Sequence, residues 1–141
     1  MSFSASARRI EDTLRHEVDV NGRHMIITDE PVALGGTDTG PAPHELLPAT
    51  LASCIATMIS MYARSKGWPL SGFSVDVEYD NESVPRHFEV AVNLPGGLAP
   101  EQIERLRRVA DSCPVRRAME AGFAFDEQIR IAPNPQAARS A

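Results

Sequence analysis

Apolar residues alternate with polar ones over two neighbouring segments in the second half of the chain. One run comprises Phe73, Val75, Val77 and Tyr79, and the other Phe88, Val90, Val92 and Leu94. Alternation with a period of two is typical of half-buried strands. The turn-forming residues 80–83 between the runs predict that the two strands form an antiparallel hairpin.

A long uncharged segment precedes this hairpin. Residues 46–63 carry no charged side chain and are rich in Ala, Ser and Thr. They predict a helix that ends at Gly67, with Arg64 and Lys66 in its last turn. The length reaches the lower limit for a membrane span. Without basic residues concentrated on one side, the composition instead favours the buried central helix of a soluble fold, and we expect no membrane association.

Turn signals place the N-terminal elements. Asn21-Gly22 favours a hairpin, because both residue types tolerate positive φ. We expect one strand through Val18 and Val20 and a second over residues 24–28. The following residues, 29–43, contain so many Gly and Pro that they predict a loop.

Two further helices and a strand are expected after the hairpin. Pro100 and Pro114 each stand where a helix should begin, and the second helix should end at Gly122. A final strand is expected over 123–131. The order β-β-α-β-β-α-α-β describes an α+β fold with mainly antiparallel sheet. We predict one domain over residues 1–131 and a disordered tail over 132–141.

Composition and charge narrow the class of protein. With 141 residues, 43% of them hydrophobic, the chain can bury a core without disulfides or a structural metal. Its net charge of −5 argues against nucleic-acid binding. The N-terminal residues have no apolar run typical of an export signal, so we expect a cytoplasmic protein whose two cysteines are reduced or redox-active.

The two cysteines lie in different contexts. Cys54 falls within the uncharged helix, where a buried cysteine commonly acts as a small apolar residue. Cys113 stands just before Pro114 at a helix start, where free N–H groups and the nearby Arg116 and Arg117 favour a thiolate. It could equally be only a small capping residue. Spacing along the chain does not show whether the two thiols meet.

Other candidate sites are less convincing. Residues 35–40 resemble a phosphate-binding loop, but no lysine follows them. The four His and two Cys show no metal-ligand spacing. His44 could act as a base toward Cys54, yet ten residues of continuous helix would separate them by about 15 Å. That pairing requires a break before the helix or a second subunit.

Several short motifs together resemble the OsmC/Ohr family of thiol-dependent hydroperoxidases, over about Thr13 to Ile131. They are Asp29-Glu30-Pro31, Gly35-Gly36, Gly40-Pro41, Pro43-His44-Glu45-Leu46-Leu47, Leu51-Ala52-Ser53-Cys54 and Ser112-Cys113-Pro114-Val115. The resemblance implies an intertwined homodimer whose long central helices are wrapped by antiparallel sheets, with active sites at the subunit interface.

The resemblance also implies a cofactor-free reaction. Cys54 would attack a small organic hydroperoxide and become a sulfenic acid, Cys113 would resolve it as a disulfide, and an external thiol or dithiol would reduce that disulfide. This reverses the order expected from helix position, which favours Cys113 as the more acidic thiol. A nearby Arg would favour the Cys54 thiolate; of four N-terminal candidates, spacing to the Gly-rich loop favours Arg15.

The sequence departs from the hydroperoxidase pattern at the head of the long helix. His44 stands where those members have the Glu that pairs with the Arg, and Glu45 lies one position later, about 100° around a helix. The motifs are closer to the broader OsmC-like branch. An alternative function is therefore a redox-sensing or small-ligand-binding dimer without efficient peroxidase turnover.

Overall fold

The computed structural model describes residues 1–134 as two antiparallel sheets and three α-helices. The N-terminal sheet has the order β1-β2-β3, formed by Ala5–Arg9, His16–Val20 and His24–Thr28. After a loop come α1 (Leu46–Lys66), the hairpin β4 (Ser74–Asp80) and β5 (His87–Asn93), α2 (Pro100–Asp111) and α3 (Pro114–Ala121). The predicted α+β class with antiparallel sheets is confirmed.

The core of the described chain lies between α1, the β4–β5 hairpin and the two later helices. α1 buries Leu51, Ile55, Ile59 and Ala63, which are spaced four residues apart along one stripe. Six of the eight inward-facing residues predicted from the strand alternation pack against this core: Phe73, Val75, Val77, Phe88, Val92 and Leu94. Val90 is instead 40% exposed, and Tyr79 lies opposite Phe88 in the register without joining the core. The N-terminal sheet contributes no residue to this core.

Helix ends follow the sequence signals. Gly67 ends α1 in the left-handed conformation, with φ of 69°, and its N–H donates to the carbonyls of Ala63 and Arg64. Pro100 and Pro114 begin α2 and α3 as expected. Cys113 is the N-cap of α3 and is fully buried, so the fold fixes one cysteine at a helix start.

The loop between the N-terminal sheet and α1 is ordered around Asp29, which is 1% exposed. Its carboxylate accepts hydrogen bonds from the backbone N–H and hydroxyl groups of Thr37 and Thr39, at 2.6–3.2 Å for the shorter contacts. The Thr37 hydroxyl is the main reason that the pKa of Asp29 lies far below its usual range. A Cβ at Gly36 would lie 1.9 Å from the Glu30 carbonyl oxygen, so only glycine fits there.

Two strand predictions need correction. Strand β1 was not predicted, because all five of its side chains are exposed and carry no alternation; only backbone pairing with β2 defines it. The expected strand over 123–131 is not formed within the described chain. Its apolar side chains have nothing to pack on, and Phe125 and Ile129 are 82% and 92% exposed. Of the predicted tail, 132–134 carry no regular element, and 135–141 lie outside the described residues.

Candidate functional site

The fold brings the two cysteines together, although 58 residues separate them in the sequence. Cys54 lies on α1 one residue before the buried Ile55, and α3 begins beside it with Cys113 as N-cap. The two thiols interact directly, and the Val115 backbone N–H is directed at the Cys54 sulfur. Two thiols in contact can form a disulfide, so the pair satisfies the first requirement for a two-cysteine redox cycle.

The surroundings of Cys54 disfavour its thiolate in a single chain. Burial is the largest cause of a raised pKa, and the neighbouring Cys113 raises it further, while the Val115 N–H lowers it. Removing a thiolate from water costs free energy unless a cation or several N–H donors replace the water. Formation of the Cys54 thiolate therefore needs a positively charged group in addition to the Val115 N–H.

Two arginines follow Cys113 on α3, and one of them is already paired. Arg116 makes ion pairs of 2.8 Å with both Asp111 and Glu120. These carboxylates raise the pKa of Arg116 and compensate its charge. Arg116 thus ties α3 to the end of α2 and holds Cys113 in place, rather than offering a free cation to the thiols.

His44 does not contact the cysteines. It lies in a 3-10 turn, Pro43–Glu45, and its ring packs edge-on against Tyr79, with the centroids 5.3 Å apart. Tyr79 in turn stacks on Phe88 at 4.7 Å. His44 therefore marks the junction between the head of α1 and the β4–β5 hairpin.

Glu45 and Arg15 lie in the N-terminal half of the molecule. The Glu45 carboxylate accepts a hydrogen bond of 3.2 Å from the Ala42 backbone N–H, which stabilises the start of α1. Arg15 lies just before β2, and its Nε is removed from solvent with no hydrogen-bond partner. Such a group is costly to leave unpaired. No hydrogen bond or ion pair joins either side chain to Cys54 within residues 1–134.

Sequence reasoning missed two participants. One is the Val115 N–H, which the Pro at the first position of α3 could have indicated, since first-turn N–H groups of a helix lack internal partners. The other is Tyr79, the contact of His44, which strand alternation identified only as an inward-facing residue. In the described part of the chain, no three His, Cys, Asp or Glu side chains lie close enough together to hold a metal ion.

An open groove lies among the elements that carry the cysteines, although neither cysteine lines it. It has a volume of about 460 Å³ and lies between α1, β5 and α3, with Leu51, Phe88, Val90 and Met119 as its apolar lining. Arg86, His87, Arg116 and Glu120 line its polar side. Leu51 is one turn before Cys54 on α1, and Arg116 follows Val115. The groove thus offers an apolar approach near the thiols.

A family model described as OsmC-like protein matches residues 36–128, which is about two thirds of the chain. The chain belongs to the OsmC family. The match includes the central helix, the β4–β5 hairpin and both cysteines, and it begins after the N-terminal sheet. No curated protein matches this OsmC-like chain.

Solved structures support the same fold. A proposed osmotic stress induced and detoxification response protein of Psychrobacter arcticus is 26% identical, with a TM-score of 0.67 over 80% of this chain and 85% of the other. An organic hydroperoxide resistance protein OsmC of Legionella pneumophila is 23% identical, with a TM-score of 0.57 over 84% and 89%. An organic hydroperoxide resistance protein of Elizabethkingia anophelis is 21% identical, with a TM-score of 0.57 over 83% and 86%.

The central helix of this OsmC-like chain is long and apolar enough to cross a membrane by length and composition. The span Pro43–Lys66 has a mean hydropathy of 1.6, and 22% of its most apolar window is buried. A core helix of a soluble protein passes the same test. Here the stripe from Leu51 to Ala63 packs on the hairpin and α2, and the rest of the helix is at most partly covered by the described residues.

Proposed function

We propose that this protein reduces organic hydroperoxides in the cytoplasm through its two cysteines. The Cys54 thiolate attacks the terminal oxygen of ROOH, the O–O bond breaks, and the alcohol ROH leaves after taking up a proton. Cys54 becomes a sulfenic acid. The Cys113 thiol then attacks the Cys54 sulfur, water leaves, and a disulfide forms. An external thiol or dithiol supplies the two electrons that restore both thiols.

The contact between the thiols of Cys54 and Cys113 carries this proposal. A sulfenic acid condenses only with a thiol that can reach it. Cys54 is partly exposed, one turn along α1 from Leu51 of the apolar groove, whereas Cys113 is fully buried. This asymmetry supports Cys54 as the thiol that meets the hydroperoxide and Cys113 as the thiol that resolves it. It favours the order implied by the family resemblance over the order implied by helix position alone.

The cation that activates Cys54 is proposed to be Arg15. Burial raises the pKa of the Cys54 thiol, so a guanidinium is needed to favour the thiolate. The buried Nε of Arg15 has no partner, which supports its assignment to a site completed by other groups. Glu45 and His44, at the head of α1, are proposed to position that arginine.

A homodimer would complete such a site. Outside its buried stripe, α1 leaves a second face uncovered, with Ser53, Ala56, Thr57, Ser60, Met61 and Arg64 along a shallow groove. Small side chains at this spacing let a second helix approach closely. The exposed apolar residues of 123–131 and the N-terminal sheet, which lies outside the core, support the same assembly. We propose that two copies cover these surfaces mutually.

A redox-sensing or ligand-binding dimer is the second candidate. The raised pKa of Cys54 favours it, since a protonated thiol reacts slowly with peroxides. His44, packed on Tyr79, favours it as well, because a carboxylate is absent from that position. Turnover separates the two functions: a sensor forms the disulfide once, and an enzyme cycles.

The test compares wild type with Cys54→Ser and Cys113→Ser in the presence of dithiothreitol and cumene hydroperoxide. We expect Cys54→Ser to lower the rate of hydroperoxide loss at least about 100-fold. Cys113→Ser should retain its sulfenic acid after one equivalent when dithiothreitol is omitted, as detected by mass. Equal rates for wild type and Cys54→Ser would contradict the proposed activity. A wild-type disulfide without continued consumption would favour the sensor.

A further inference from the structure

The two sulfurs of the cysteine pair differ in access from solvent. Cys113 is 0% exposed and belongs to the core, together with Ile55, Leu106 and Ala110. Cys54 is only partly buried. It follows Leu51 by one turn of α1, and Leu51 lines the open groove between α1, β5 and α3 rather than the face of α1 that we propose a second copy to cover. A molecule from solvent can therefore reach one sulfur of the pair and not the other.

Thiol–disulfide exchange has a strict geometry that makes this difference important. The attacking thiolate approaches one sulfur along the S–S axis, from the side opposite the sulfur that leaves. An attack on Cys54 comes from outside the protein. An attack on Cys113 would have to come from behind it, where the packed core side chains lie. The core therefore blocks the approach of a thiolate to the Cys113 sulfur unless the protein opens locally.

The leaving group favours the same direction. When Cys54 is attacked, the Cys113 sulfur leaves as a thiolate at the N-cap of α3. Free N–H groups in the first turn of a helix stabilise a negative charge there, and a better stabilised thiolate leaves faster. In the opposite reaction Cys54 would leave from the middle of α1, where the Val115 N–H is the one first-turn donor of α3 directed at its sulfur.

We infer that the external reductant attacks the Cys54 sulfur, so that the mixed disulfide of the catalytic cycle forms on Cys54 and never on Cys113. The inference rests on the proposed function. In the first step a thiolate RS⁻ forms a bond to Cys54 Sγ, the Cys54–Cys113 bond breaks, and Cys113 leaves with the electron pair and takes up a proton. In the second step the other thiol of a dithiol attacks R–S, releases Cys54 as a thiolate and closes a cyclic disulfide.

The experiment starts from a disulfide made with diamide, so that it does not depend on peroxidase activity. Oxidised protein is mixed with excess reduced glutathione, quenched within seconds by N-ethylmaleimide in guanidinium chloride, which unfolds the chain and exposes Cys113, and digested for peptide mass spectrometry. We expect glutathione on Cys54 and N-ethylmaleimide on Cys113. The reverse labelling would overturn the inference, even if hydroperoxide reduction is confirmed. Failure of diamide to join the two cysteines would overturn the inference and the proposed cycle together.

Single-cysteine variants provide a second, matched measurement. Cys113→Ser leaves Cys54 as the only thiol, and Cys54→Ser leaves Cys113. We expect Cys54 to react with 5,5′-dithiobis(2-nitrobenzoate) at least about 100-fold faster than Cys113. The buried Cys113 thiol can react only after local unfolding exposes it. In guanidinium chloride the two rates should become similar. Equal rates in the folded variants would overturn the inference, because solvent access would then not determine which of the two sulfurs an external thiol attacks.

Discussion

The molecule contains two regions that are ordered by different means. From α1 to α3 the chain packs a core of apolar residues, seven of which are buried. From β1 to the start of α1, two of the three buried residues, Thr28 and Asp29, are polar, and the third is Ala42. Apolar burial stabilises the first region within one chain. The second depends on backbone pairing, on a carboxylate with its hydrogen-bond donors, and on the surface that we propose a second copy to supply.

The residues of the candidate site are divided between the two regions. Both cysteines belong to the region with the apolar core, and Cys113 is one of its buried members. Arg15, proposed to activate Cys54, belongs to the other region. In a site divided in this way, the core of one chain would fix the two thiols. The Arg15 guanidinium would be brought to Cys54 when the dimer forms. Substitutions in one region should therefore show whether the other region responds.

The largest effect is expected from the core. Ile55→Ala removes a side chain that is 0% exposed from the centre of α1 and leaves a cavity. We expect the free energy of unfolding to fall by about 2–5 kcal/mol, measured by urea denaturation. Val32→Ala is the control in the N-terminal region, because Val32 is 71% exposed and should change stability by less than about 0.5 kcal/mol. Similar losses for both variants would contradict the distinction between the regions.

The next effect concerns assembly. Met61→Arg places a charge on the uncovered face of α1, where Met61 is 63% exposed. We expect this variant to fold and to be monomeric by light scattering at micromolar concentration, where wild type is dimeric, because burying an unpaired charge opposes association. Val84→Arg, in the turn after β4, is the control: Val84 is 98% exposed and lies away from α1, and the variant should remain dimeric. A monomeric wild type would refute the proposed dimer directly.

Arg15 tests whether the N-terminal region serves the thiols. Arg15→Ala should lower the rate of hydroperoxide consumption by roughly tenfold or more and raise the pH at which Cys54 ionises, because a thiolate loses its cation. Arg15→Lys should retain part of the rate. Arg8→Ala, on the exposed strand β1, is the control and should behave as wild type. An unchanged pH profile for Arg15→Ala would leave Arg15 with only a structural role.

The two regions also differ in how well the sequence predicted them. Strand alternation, the uncharged helix and the helix-start prolines indicated α1 through α3, because burial against one chain imposes a period on the sequence. Strand β1 carries no such period, as its side chains face solvent. The strand expected over 123–131 does have the period, yet no strand within residues 1–134 pairs with it. Contact between Cys54 and Cys113 depends on tertiary packing, which spacing along the chain does not encode.

The smallest predicted effect concerns the Asp29 loop. Asp29→Asn replaces a carboxylate oxygen, which accepts from Thr37 and Thr39, with an amide that must present N–H groups to the same donors. We expect the melting temperature to fall by several degrees. Asp38→Asn is a matched control: its φ of 53° suits Asn as well as Asp, and its carboxylate receives none of those bonds. Equal melting temperatures for wild type and Asp29→Asn would show that the network adds no stability.

The pH dependence of this effect separates charge from shape. Hydrogen bonds from Thr37 and Thr39 hold the pKa of Asp29 far below its usual range. A depressed folded-state pKa gives stability that is complete above the unfolded value of about 3.9 and is lost as pH falls toward the folded value. The gap in melting temperature between wild type and Asp29→Asn should therefore be constant from pH 7 to about pH 5 and narrow below about pH 4. A gap that persists unchanged to pH 2.5 would mean that the carboxylate shape, rather than its charge, orders the loop that joins the N-terminal sheet to the helix of Cys54.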